Sequence, residues 1–126
     1  MIQDRSLVVI ADNSGAKIGR IFKIPGSSRK RYASIGEVVV LSVQTAEPRK
    51  AVKKKDILKA VVVRQRQPFR RKDGSYIRFD ENAVVILDTG GKDKKEPKAG
   101  RIFGPIPREL QELGYQTIIS RAPEVV

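Results

Sequence analysis

Three places in this chain hold residue types capable of chemistry beyond simple attraction. Asp80 and Glu81 are neighbouring carboxylates, the pair that acid–base work or a Mg²⁺ ion requires. Adjacent strand residues point to opposite faces, however, so the two do not share a site. Gly90-Gly91-Lys92 has the glycines and lysine of a phosphate loop but lacks the spacing and the Lys-Ser/Thr pair of that motif. Asp12-Asn13-Ser14-Gly15-Ala16 reads as turn chemistry, with Asp and Asn bonding local backbone and Gly supplying conformational freedom. The 126 residues include no His and no Cys. That removes the usual neutral-pH proton carrier, the thiolate nucleophile, disulfides and His/Cys metal sets. An enzyme has little to stand on; a metal-dependent nuclease would rest on Asp80 or Glu81 alone.

Guanidinium and ammonium groups are what the chain has in quantity. Twenty-six Lys and Arg face fourteen Asp and Glu, for a formal net charge of +12 and a pI near 10.3. Solubility needs much less, so the excess implies a polyanionic partner. Half of the basic residues fall in three short segments: Arg29-Lys30-Arg31, then Arg49, Lys50, Lys53, Lys54 and Lys55, then Arg64, Arg66, Arg70, Arg71 and Lys72. Clustered charge of one sign is a footprint, whereas uniform charge is a solubility device. Arg acts on phosphates as a fork donor and Lys as a point charge, and both fix position more than they read sequence. The arm from Arg64 to Lys72 contains no acid, so its basic side is expected to go unneutralised within the protein. The Lys53-Lys54-Lys55 block is expected to be mobile until RNA is present. Phe69 and Tyr76 have two open readings, stacking on a base or on Arg and ordinary packing. Residues 109–126 carry three acids and one base and are expected to pack or to meet protein.

These side chains need a scaffold, and the pattern is that of β structure. Val61, Val62 and Val63 are consecutive β-branched residues, as in a strand buried on both faces. Asp73-Gly74 supplies a hairpin turn, and Tyr76, Arg78 and Asp80 alternate with Ile77 and Phe79 on the return strand. Further strands are read over Ser6–Ala11, Ala16–Ile24, Ile35–Val43, Asp56–Gln67, Ser75–Asp80 and Asn82–Asp88. Short strands at regular spacing with Gly and Pro between them predict a mainly β fold, a small closed barrel. Pro107 to Leu113 is the one helix, with Pro at its first turn, Gly114 past its end, and Ile106, Leu110 and Leu113 on one stripe. Tyr115 to Ser120 reads as a final strand or extended segment, and Thr89 to Ala99 as a basic surface loop. The length suits a single domain, residues 1–126, with the barrel and basic loops over about 1–100 and a C-terminal portion over about 101–126. No apolar run approaches the ~18 to 20 residues that span a bilayer, and the N-terminus lacks signal-peptide features, so the protein is expected to remain where it is made, with no membrane partner.

The order Ala60 to Val63, Asp73-Gly74, Phe79, Asn82, Val85-Ile86 resembles the signature of the large ribosomal subunit protein fourteen family. The likeness runs on through Met1-Ile2-Gln3, Asp12-Asn13-Ser14-Gly15-Ala16, Arg31-Tyr32-Ala33, Arg101-Ile102-Phe103-Gly104-Pro105, Arg108-Glu109-Leu110 and Ala122-Pro123-Glu124-Val125, and so covers essentially the whole chain. The resemblance implies a five-stranded barrel with a short helical C-terminal portion and a non-enzymatic ribosomal role without cofactors. It further implies binding to 23S-type rRNA at the subunit interface, beside large-subunit proteins three and nineteen, with bridges to small-subunit rRNA and a docking face for a ribosome-silencing factor. By their clustered charge, the three basic segments, with Arg78 on the return strand, are the rRNA-binding candidates; carried over from the resemblance, Arg101 and Arg108 are the interface candidates. Gly100 stands where the family commonly has Thr, and Thr117 where some members are basic. The rival reading from composition is a free barrel-type RNA-binding factor or RNA chaperone.

Overall fold

The computed structural model describes residues 2–3, 5–26, 31–49, 52–88 and 95–126. Their elements in chain order are β1 (Ile2–Gln3), β2 (Leu7–Ile10), β3 (Ala16–Lys23), β4 (Tyr32–Ala33), β5 (Val38–Ala46), β6 (Ile57–Arg64), β7 (Phe69–Arg70), β8 (Tyr76–Ile77), β9 (Ala83–Ile86), β10 (Pro105–Ile106), α1 (Glu109–Glu112), α2 (Gln116–Arg121) and β11 (Glu124–Val125). Strands β2, β3, β5, β6 and β9 form a closed barrel in that order. A parallel pairing of β9 with β2, Val9 opposite Ala83 and Ile10 opposite Val84, closes it. Closure leaves the barrel with no open edge to template another chain.

Alternation along the strands divides the apolar residues between two cores. Val39, Leu41 and Val43 from β5, Ala60 and Val62 from β6, and Val84 and Ile86 from β9 fill the barrel interior. Val61 and Val63 from β6, with Ala83, Val85 and Leu87, face outwards and are nevertheless buried. Their cover is the C-terminal segment, which lays Ile102, Ile106, Leu110, Tyr115 and Ile118 over them. This is the physical meaning of the unbroken valine run: a strand covered on both faces has no reason to alternate. Full burial of each large aliphatic side chain contributes about 1.5–3 kcal/mol, so this lid is a second core and not a tail.

The structure departs from the sequence expectations in three ways. Residues 116–121 are helical, not extended. Thr117, Ile118 and Ile119 favour a strand by their branching, but Tyr115, Ile118, Ile119 and Ala122 recur at helical spacing and pack on the outer core. Ser75–Asp80 is not part of the barrel. Only Tyr76–Ile77 is strand, and it pairs with Phe69–Arg70 in a separate ribbon. Helix α1 is shorter than expected, and Leu113 is exposed instead of completing the apolar stripe. Gly114 does end it in the left-handed conformation, at φ +95°.

Candidate nucleic-acid interface

The basic arm divides into residues that hold it in place and residues that it displays. Arg64, the last residue of β6, is buried, and its Nη1 donates to the carbonyls of Phe103 at 3.0 Å and Pro105 at 3.3 Å. Its Nη2 lies 3.4 Å from Glu81 Oε1. Burial pulls the Arg64 pKa down from its ordinary value, and Glu81 acts in the opposite direction. Gly104 makes room for this guanidinium: at φ +78° it adopts a conformation suited to glycine, and a Cβ there would collide with Arg64 Nη1. Arg64 therefore pins the lid to the barrel and does not face solvent.

Arg71 does the same for the ribbon. Its Nε lies 2.6 Å from Glu109 Oε1, and its Nη2 donates to Glu109 Oε2 at 3.3 Å and to the Val126 carbonyl at 2.7 Å. Both partners of this fork are largely buried, so it escapes much of the screening that weakens surface pairs. Lys72 sits 3.2 Å from Glu112, but in the open, and Arg108 lies 4.0 Å from Asp73. The expectation that nothing in the protein neutralises the arm is thus corrected. Glu81 answers Arg64, and Glu109 and Glu112, three apart and therefore on one face of α1, answer Arg71 and Lys72. The i, i+3 spacing was visible in the sequence; the element that it would face was not.

The turn of the ribbon is built as its sequence requires. Asp73 Oδ1 accepts from the Ser75 amide at 2.9 Å and from the Ser75 hydroxyl at 2.6 Å, which lowers the Asp73 pKa. Gly74 takes φ +91°. The side chains of Arg66, Arg70 and Arg78 are exposed and form no ion pair with a described residue. Phe69 packs against the outer core, whereas Tyr76 is exposed.

Residues 52–56 form the second basic site. Lys53, Lys54 and Lys55 are exposed, yet the backbone beneath them is tied down. Val52 is fully buried in the barrel core, Lys55 N donates to Val43 O at 2.8 Å, and Lys53 N donates to Asp56 Oδ2 at 2.9 Å. The three lysines thus project from a turn held by a buried valine and backbone hydrogen bonds, and the signal for that anchorage was the single valine before them. Arg31 and Arg49 are exposed, Arg49 at φ +64°. Arg29, Lys30 and Lys50 lie outside the described residues, as does the first part of the Thr89 to Ala99 loop, Gly90-Gly91-Lys92 included. Arg101 is exposed beside the Asp12 turn, where its amide donates to Asn13 Oδ1 at 3.1 Å.

That turn is a structural device. Asp12 is buried; Oδ1 accepts from the Ser14 hydroxyl at 2.6 Å and the Ser14 amide at 3.1 Å, while Oδ2 accepts from the Ile86 amide at 3.0 Å. The carboxylate thereby joins the β2–β3 turn to β9 at the barrel seam. Burial raises its pKa from the ordinary 3.8, and the hydrogen bonds from Ser14 and Ile86 offset part of that rise. Among the described residues no group of three or more His, Cys, Asp or Glu is placed to hold a metal ion. No helix among them is long and apolar enough to cross a membrane.

Fold and charge together define a class: a small closed β-barrel that displays cations on an anchored ribbon and on pinned turns, suited to a polyanion. The family model described as Ribosomal protein L14p/L23e matches residues 1–126, and the chain belongs to that family. It is accordingly a structural protein of the large ribosomal subunit that binds rRNA, in a family that is not one of enzymes. Its place is the ribosome, cytoplasmic or organellar.

Proposed function

We propose that the chain binds 23S-type rRNA through the cations that the fold leaves unspent, and that it lies at the subunit interface and contributes bridges to small-subunit rRNA. The observation that carries this reading is the division of labour within one arm. Arg64 and Arg71 are consumed in holding the lid and the ribbon, while Arg66, Arg70 and Arg78 stand exposed around the same ribbon. Arg31, Arg49, Lys53, Lys54 and Lys55 extend the cationic surface, and Lys72 joins it as an exposed, salt-screened pair with Glu112. Such groups grip phosphate and hold register without reading sequence.

Arg101 and Arg108 lie on the C-terminal segment, outside the ribbon, and are assigned to the subunit-facing side. On that side we place large-subunit proteins three and nineteen and the docking of a ribosome-silencing factor, on the strength of the family alone. The reading is tested by replacing Arg66, Arg70 and Arg78 together with Ala and measuring occupancy in purified large subunits. We expect a folded barrel by circular dichroism and clearly reduced occupancy after a salt wash. Unchanged occupancy contradicts the assignment of these three residues to rRNA.

A further inference from the structure

The lid covers the outer face of β9, of the second half of β6 and of Val38 at the start of β5. Beyond it, the outer face of β3, the rest of β5 and the first half of β6 is uncovered, with Val40 and Ser42 half-buried between exposed Arg20, Phe22, Lys23, Ile57 and Lys59. In register, one row across this face runs Leu7, Arg20, Ser42, Ile57, and the next runs Lys23, Val40, Lys59. A bulge between Ile21 and Lys23 leaves both Phe22 and Lys23 exposed. Leu7, Phe22 and Ile57 are 54%, 45% and 67% exposed, large fractions for apolar side chains on a sheet. Strands β2, β3, β5 and β6 contain no Asp or Glu, and Arg20, Lys23 and Lys59 form no ion pair with a described residue.

We infer that this face binds an unpaired segment of RNA, with bases lying on Phe22 and Ile57 and phosphates held by Arg20, Lys23 and Lys59. The inference rests on the rRNA-binding reading and adds to it a second surface and a mode of contact. Single-strand sites combine a cationic track with apolar platforms, whereas duplex phosphates need only the cations. The pattern fits the former, since apolar and cationic side chains interleave row by row. Lys23 and Lys59 flank Val40 with two strand spacings between them, about 10 Å. A protein partner would instead favour an apolar centre depleted of Lys, with charge at the rim. Here Arg20 separates Leu7 from Ile57, and no such centre exists on these rows.

The test uses the full chain and two fluorescent probes, a twelve-nucleotide single-stranded RNA and an RNA duplex of the same length. Phe22→Ala is expected to weaken single-strand binding by roughly 5- to 150-fold, the loss of one stacked base, and to leave duplex binding nearly unchanged. Phe22→Tyr should retain most of it. Lys23→Ala and Lys59→Ala should each lower the single-strand salt slope by about 0.7. Equal losses on both probes reduce the face to a phosphate contact and overturn the inference. No loss on either, or no binding of the single strand by the unaltered chain, also overturns it. The underlying rRNA reading fails separately, if the Arg66, Arg70 and Arg78 variant leaves large-subunit occupancy unchanged.

Discussion

Two arginines of one basic arm show how little a residue's type says about its task. Arg64 and Arg66 are two positions apart, yet the first is buried against the Phe103 and Pro105 carbonyls and the second stands in solvent. Composition made both phosphate ligands. Only the lid, folded back from forty residues downstream, turns Arg64 inwards, which is why its role was not legible from its neighbours; Gly104, at positive φ beside the guanidinium, is the matching half of that contact. Asp12 was legible as turn chemistry, but its bond to the Ile86 amide, across the barrel seam, was not. Its raised pKa has a defined consequence. A carboxyl whose folded pKa lies above 3.8 favours the folded state most when protonated, and that contribution fades as pH rises through the folded value. Relative to Asp12→Asn, the native protein should therefore gain stability as pH falls from the folded pKa of Asp12 towards 3.8. Urea midpoints of the two proteins across pH 3.5 to 7 measure this, and a native protein that loses ground to the variant on acidification would contradict it.

At the scale of elements, the unbroken Val61–Val63 run announced a strand covered on both faces, and the structure supplies both covers. Helix α2 stands where a final strand or extended segment is expected: Thr117, Ile118 and Ile119 are branched and locally favour a strand, and packing of the helical stripe on the outer core overrides that preference. The ribbon was legible as a hairpin from Asp73-Gly74, but its independence from the barrel was not. With two residues per strand it cannot stand alone, and Arg71 is what holds it. Arg71→Ala should release the ribbon from α1 and from Val126, at a cost of about 1–3 kcal/mol. Amide exchange should speed up at Phe69 and Ile77 while Val61 and Val85, inside the barrel sheet, keep their protection. Unaltered exchange in the ribbon would mean that packing of Phe69, and not the Arg71–Glu109 fork, fixes it.

For the whole molecule, charge, size and strand spacing were sufficient to reach a basic closed barrel, because those features depend on sums and periods and not on particular long-range contacts. What lay beyond them was the apportioning of charge. Internal acids on α1 and at Glu81 cancel part of the arm, so the proposed rRNA surface loses Arg64 and Arg71 from that cluster and keeps Arg66 and Arg70, together with Arg78 and the lysine turn. A permanent ribosomal component spreads its attachment over many such groups, whereas a transient RNA binder with ~6 to 10 phosphate contacts loses ~10³- to 10⁵-fold in affinity between 50 and 200 mM salt. The most direct measurement is sucrose-gradient sedimentation of a tagged copy from lysate after a high-salt wash, with fractions probed for the protein and for rRNA. Retention at one copy per large subunit is the predicted result, and release into the light fractions would contradict a permanent structural place in the subunit.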